Sequence, residues 1–465
     1  MQVTFLDILR DMNSTDRTAP ASSNYRWVIC GLLFFATTFN YLDRQVISYL
    51  KEFFCRSQDA GGFGWSNTDF ALLTSFFTAF YAGMTLGVGW VIDRIGTKLG
   101  LALSLIVWSI CGIANAFVGR LLVMHIVIRS AFAVGEAGNF PASIKTVAEW
   151  FPKRERALAT GIFNSGSNFG AMVAALFVPW CMIHFGDQQG WKMAFILTGA
   201  AGFIWLIFWY WLYDTPDKQR RLSRTEHDYI HIDDEAAAGN VNGDKGKLSW
   251  WRLFGYRQAW AFFCGKFMTD GIWWFYLFWL PDYLIKQFGM TKAQVMMPTF
   301  IVYGVAIVGS IYGGSIPMTL IKKGMPVYRA RMTAMFLIAV APLAVLFTQY
   351  FGNADQFGRN WAPILAVAMI CIGASAHQAW SANLFTTVSD MFPKKAVGSI
   401  TGIGTTAGGI GGVIVQLLAG HLTDAFKSHP QTAYLIMLVI CALSYLIAWA
   451  IMKMLVPRHK PITDL

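Results

Sequence analysis

The chain has 465 residues, 55% of them hydrophobic and only 14% charged, whereas a soluble domain carries about 25% charged residues. Long apolar runs recur along the whole length, which excludes an ordinary soluble enzyme and points to a polytopic membrane protein. The formal charge of +11 raises nucleic acid as a partner, but the basic residues sit between the apolar runs and not on a soluble domain.

Residues 1–24 read as a polar cytoplasmic tail, with no cleavable signal peptide in front of the first apolar span. Twelve spans are predicted at 25–50, 69–92, 98–118, 121–147, 157–184, 192–213, 257–284, 296–321, 331–351, 361–388, 397–424 and 432–455. They divide into an N-terminal six-helix bundle, 25–213, and a C-terminal one, 257–455, joined by a cytoplasmic central loop, 214–256, and followed by a cytoplasmic tail, 456–465. The middle of the loop, 233–247, is poor in apolar residues and reads as a flexible linker, with helices expected on the membrane surface at 219–232 and 248–256. Lys and Arg concentrate in the connections on the side of the tail, which places both termini inside. The opposite side holds Lys51, Arg56, Arg120, Lys192, Lys286, Lys292, Arg359 and Lys427. Six of the seven cysteines fall in spans, Cys55 stands alone in a loop, and no CxxC pair suggests a disulfide framework or a zinc site.

Charges inside spans cost at least about 2.5–3.5 kcal/mol each and need a partner and a role. The first span carries Asn40, Tyr41, Asp43 and Arg44, and Arg44 shares a helix face with Asn40 and Ser48. The fourth carries Arg129 and Glu136, two helical turns apart on one face, with Gly135, Gly138 and Pro141 where it can bend. One reading of Asp43 and Arg44 is a structural ion pair that fixes helix packing. The other is a proton-coupled anion carrier, in which a guanidinium holds a substrate carboxylate and a buried acid takes up a proton. Protonating Asp43 or Glu136 would then free an Arg, all four groups lining one chamber. Lys145 sits near the inner boundary, where snorkelling accounts for it.

The grammar around the fourth span returns 241 residues later: Glu149-Trp150-Phe151-Pro152-Lys153 matches Asp390-Met391-Phe392-Pro393-Lys394, and Gly161 and Gly170 match Gly402 and Gly411. A parallel repeat of this size in so apolar a chain marks a transporter built from two halves. The second span ends in Gly89-x3-Asp93-Arg94-x-Gly96-x-Lys98, which resembles the signature loop of the major facilitator superfamily, where that loop serves gating. Gly89 is expected to allow close packing, Asp93 to cap or pair with a helix end, and Arg94 and Lys98 to hold the loop inside.

Asn40-Tyr41-x-Asp43-Arg44, Arg129-x6-Glu136 and Trp150-Phe151-Pro152-x-x-Glu155-Arg156 together look like the anion:cation symporter branch of that family, over nearly the whole chain. The resemblance implies an all-helical fold with twelve transmembrane helices, proton coupling at Asp43 and Glu136, and anion binding at Arg44 and Arg129. The seventh span, with Lys266, Asp270, Trp273, Trp274 and Tyr276, and the tenth, with His377, Trp380 and Asn383, look like those of hexuronate transporters. Aromatic rings with imidazole, amide and hydroxyl groups suit a polyhydroxylated ring bearing one carboxylate. Lipid or core packing is the plainer reading of one of the adjacent tryptophans and of His377. Tyr81, Asn164, Asn168 and Thr405 complete the candidate substrate contacts, while small residues of the fifth and eleventh spans serve helix approach.

No Walker sequence, HExxH or GxSxG occurs, so neither ATP nor hydrolysis is expected. The expectation is a proton-coupled symporter of a hexuronate in a bacterial inner membrane, monomeric, with the proton as its coupling ion and no cofactor or metal. The alternatives are a carrier of another organic acid, an aldonate or aldarate, and a non-transporting receptor on the same scaffold.

Overall fold

The computed structural model describes residues 23–232, 250–392, 394–458 and 462. The expected linker 233–247, most of both tails and the side chain of Asp93 lie outside the described residues. Among the described residues every regular element is a helix. In chain order the helices are α1 Tyr25–Cys55, α2 Asn67–Ile95, α3 Thr97–Ala114, α4 Leu122–Glu136, α5 Asn139–Trp150, α6 Lys153–His184, α7 Gly186–Leu212 and α8 Arg224–Ile230. There follow α9 Trp250–Leu253, α10 Arg257–Phe288, α11 Lys292–Lys322, α12 Val327–Val340, α13 Thr348–Phe351, α14 Ala354–Met391, α15 Lys394–Ala425 and α16 Pro430–Leu455.

Local chemistry sets several of these ends. Ser66 and Asp69 form a reciprocal capping box at the start of α2, as Thr291 and Gln294 do for α11. Gly96, at φ +85°, makes the tight α2–α3 turn, a backbone conformation that L side chains rarely adopt. The predicted fourth span is broken: α4 stops at Glu136 and α5 starts at Asn139. Pro141 cannot donate the backbone hydrogen bond that would carry one helix through the break. The ninth span likewise passes through a 3-10 stretch, Ala341–Phe347, that contains Pro342.

Among the described residues nine helices are long and apolar enough to cross a bilayer. The predicted spans outside that set correspond to α1, to the broken α4–α5 and to α10. These are the helices that carry the intramembrane charges, which dilute their apolar runs. Helix α1 also runs five residues past its predicted end, so Cys55 closes a helix and is not in a loop. The surface helices expected at 219–232 and 248–256 contract to α8 and α9.

In each half one inner helix pairs with one outer helix, α1 with α6 and α10 with α15. A Cβ at Gly170 would fall on the carbonyl oxygen of Thr38 in α1, and one at Gly411 on that of Phe267 in α10. The two glycines stand 241 residues apart, so the sequence repeat corresponds to the same close crossing in both halves. Across the halves, α2 packs on α15 and α6 on α11. By contrast, a Cβ at Gly89 would meet nothing within 4 Å, so close packing does not explain that glycine.

Candidate functional site

Arg44 lies at the junction of the halves. Its Nε donates to Oε2 of Glu136 at 2.9 Å and its Nη2 to Oδ1 of Asn40 at 3.3 Å. Both members of the ion pair are nearly fully buried, at 1% exposure each. The guanidinium is surrounded by rings, with centroids at 4.4 Å for Tyr41, 4.5 Å for Tyr81, 5.4 Å for Phe77 and 5.5 Å for Trp274. Trp274 belongs to α10, so the charge reaches from one half to the other. Oε1 of Glu136 has no hydrogen-bond partner. One oxygen therefore fixes the arginine while the other is left free to carry a proton.

Arg129 donates through Nη2 to the backbone carbonyl of Arg44 at 3.2 Å and lies over Phe132 at 4.4 Å and Phe77 at 5.1 Å. Its Nη1 is buried and without a partner. Asp43 departs from expectation. It is as buried as its neighbour, at 2% exposure, but it faces Thr198 of α7 and Trp108 of α3, behind α1 as seen from the other half. Neither of its carboxyl oxygens, nor Nε1 of Trp108, has a hydrogen-bond partner. Consecutive residues of a helix point about 100° apart, so Asp43 and Arg44 do not share one face. The four charged groups thus form one electrostatically coupled cluster across α1 and α4, with Asp43 on its α3 and α7 side.

On the C-terminal side, His377 accepts or donates at Nδ1 with the hydroxyl of Tyr445 at 2.8 Å and stacks on Trp273, with centroids 4.9 Å apart and planes 5° apart. Trp273 is half-buried, and Trp274 packs on Phe278, so both adjacent tryptophans face inward. Lys266 pairs with Asp270 one turn away at 2.6 Å. Trp380 is fully buried edge-on to Tyr445, and the amide of Asn383 is engaged by the carbonyls of Gly313 and Ala379. Those two side chains hold α14 against its neighbours. Asn168 is buried, Asn164 one turn earlier is exposed, and Thr405 donates to the carbonyl of Thr401.

On either side of the α2–α3 turn, Lys98 pairs with Asp214 at 3.1 Å, and Arg94 lies over Trp90 at 3.8 Å. Lys145 donates to the carbonyl of Ile92 at the end of α2 at 3.4 Å. The motif at 150–156 also acquires a physical reading. Arg156 donates to the carbonyls of Ala148 and Phe151 at the end of α5, and Glu155 binds Arg26 at 2.9 Å.

Sequence reasoning missed a second polar cluster, at the opposite end of the bundle. Lys51, fully buried, donates to Asp282 at 2.6 Å and Asn67 at 2.8 Å. Lys286 and the hydroxyl of Tyr434 bind the same carboxylate. Asp424 accepts from the backbone N–H groups of Asn67 and Thr68 at the first turn of α2. Asp187 joins Arg56 to Lys292 nearby. The sequence alone places Lys51 among the charges between spans on the external side. The signal was present in Asp282, a carboxylate inside a predicted span, which needs a cation as much as Glu136 does.

The Major Facilitator Superfamily profile matches residues 33–416. The chain is a member of the major facilitator superfamily. A hexuronate transporter of Escherichia coli (strain K12) is 28% identical over 429 residues, covering 92% of this chain and 94% of that protein. A galacturonate transporter of Dickeya chrysanthemi is 31% identical over 299 residues, covering 63% of this chain and 81% of that one. A solved bacterial homolog to the human lysosomal transporter Spinster, inward-facing and occupied, aligns with a TM-score of 0.70 at 17% identity, over 96% of this chain and 100% of that chain. This likeness concerns the fold. The protein is thus a multi-pass membrane transporter of the superfamily and not an enzyme.

Proposed function

We propose that this superfamily member is a proton-coupled importer of a hexuronate, glucuronate or galacturonate, in a bacterial inner membrane. Twelve spans, in the bundles 25–213 and 257–455 with both termini cytoplasmic, rock about a site between them. The observation that carries the reading is the Arg44–Glu136 pair, buried at the junction of the halves with one carboxyl oxygen unpartnered. A proton on Glu136 weakens its hold on Arg44, and the freed guanidinium takes the substrate carboxylate in bidentate fashion. Arg129 supports it by adding positive charge and holding the carbonyl of Arg44. Asp43 serves as a second proton station behind α1.

Tyr41, Tyr81, Asn164, Asn168, Thr405, Trp273 and His377 offer rings and polar groups to the sugar hydroxyls and C–H faces. Trp380 and Asn383 act by positioning α14. The Lys51–Asp282 cluster then closes the periplasmic side. The substrates for which these two relatives are named, hexuronate and galacturonate, support the substrate class.

Uptake of labelled glucuronate and galacturonate into a transport-null host, with and without a protonophore, tests the reading. We expect saturable uptake of at least one acid that the protonophore abolishes. Uptake of only an aldonate or aldarate would move the substrate. Binding without uptake would make the protein a receptor.

A further inference from the structure

Outside the membrane, where α7 gives way to the central loop, three ligand-type side chains converge. Asp217 lies in the 3-10 turn Pro216–Lys218, His227 in α8, and His231 just beyond its end. The histidines stand four residues apart, so their rings share one face, with centroids 4.3 Å apart. Nε2 of His227 is 3.1 Å and Nε2 of His231 is 3.6 Å from the same oxygen, Oδ1 of Asp217. All three ligand atoms fall within 4.8 Å of one another.

The hydrogen bonding around the rings decides what this cluster can hold. Nδ1 of His231 faces the backbone carbonyl of His227 at 2.9 Å. A carbonyl only accepts, so Nδ1 carries the hydrogen and Nε2 of the neutral ring presents a lone pair. In that tautomer the lone pair faces a carboxylate oxygen 3.6 Å away, and a proton or a metal ion between the two completes the arrangement. His227 differs: its Nε2 is within hydrogen-bond distance of Asp217 at 3.1 Å, while its Nδ1, 3.7 Å from Oδ1 of Asp228, is too far to be fixed by it. A ring nitrogen fixed by a carbonyl or carboxylate while the other points at a common centre is the usual surrounding of a metal-binding imidazole.

The spacing agrees. Two ligands each about 2.0 Å from a tetrahedral ion stand about 3.3 Å apart, between the two observed separations. Two imidazoles and one carboxylate suit Zn2+ or a related transition ion with a fourth position for water, and not Mg2+ or Ca2+, which prefer all-oxygen shells. The side chain of Asp217 is 73% exposed, so an ion can enter from solvent.

We infer that Asp217, His227 and His231 form a binding site for a single divalent transition-metal ion of the zinc type. The ion would fasten the segment after α7 to α8. Helix α8 is itself tied to the N-terminal half: Glu226 binds Arg26 at 2.8 Å, and Tyr229 donates to Glu155 at 2.6 Å. The metal would thereby link the ends of α1, α6 and α7 through one short helix, without touching the transport site.

The test uses the full chain in detergent, purified through a histidine-free tag and stripped with EDTA, titrated calorimetrically with Zn2+ and by visible absorption with Co2+. We expect one ion per chain with Kd of about 1 μM or tighter, and a Tm that rises with Zn2+. His227→Ala/His231→Ala should weaken binding at least ~100-fold and remove the Tm rise, and Asp217→Asn should weaken it about 10-fold. His184→Ala, remote from the cluster, should change neither. If the double variant does not fold, His231→Ala alone carries the comparison. Binding no tighter than about 100 μM, or equal binding in a folded histidine variant, would overturn the site.

Discussion

Arg44 is held by one carboxylate oxygen, one amide oxygen and four rings. A planar, delocalised cation can be stacked and hydrogen-bonded at once, whereas an ammonium is a compact, strongly hydrated charge. Arg44→Lys should therefore keep the positive charge yet lose uptake by at least ~10-fold, with the protein still monodisperse in detergent. Initial uptake rates at several substrate concentrations check this, and a rate near that of the parent chain would show that charge alone suffices. The sequence made the presence of these residues legible, because a charge in an apolar span stands out. It did not make their pairing legible. Neighbours in the chain suggested Asp43 beside Arg44, but helix geometry turns them apart and brings Glu136 of α4 to Arg44 instead.

At the scale of elements, the repeat was legible because Gly170 and Gly411 occupy equivalent crossings, each against the backbone of the first helix of its half. Any side chain there must push two helices apart. Gly170→Val and Gly411→Val should each cost about 1–3 kcal/mol, the usual penalty of overpacking, and appear as a lower Tm in detergent. Gly89→Ala, which meets open space inside α2, should leave Tm unchanged or raise it slightly. Equal shifts at all three positions would contradict the crossing argument. The break between α4 and α5 was foreshadowed by Gly138 and Pro141. The extension of α1 to Cys55 was not, because Lys51 and Glu52 look like the start of a loop until Asp282 is seen to neutralise Lys51.

In the whole molecule, polar contacts between the halves gather at the end bearing Lys51, Asp187, Asp282 and Asp424. Removing one member of a buried ion pair leaves a charge uncompensated, at about 3–5 kcal/mol, enough to shift a two-state equilibrium strongly. Lys51→Ala should shift the population toward opening at this end. Spin labels at Gln58 and Lys427 in a cysteine-depleted background would report it as a longer distance, and the exchanged pair Lys51→Asp/Asp282→Lys should restore the shorter one. An unchanged distance in Lys51→Ala would remove the cluster from gating. The account of transport rests on a proton at Glu136 releasing Arg44, and proteoliposomes bearing Glu136→Gln probe that step directly. The measurement compares counterflow of labelled glucuronate with its accumulation under an inward proton gradient. The account predicts that counterflow persists while gradient-driven accumulation is lost; accumulation equal to that of the parent protein would contradict it.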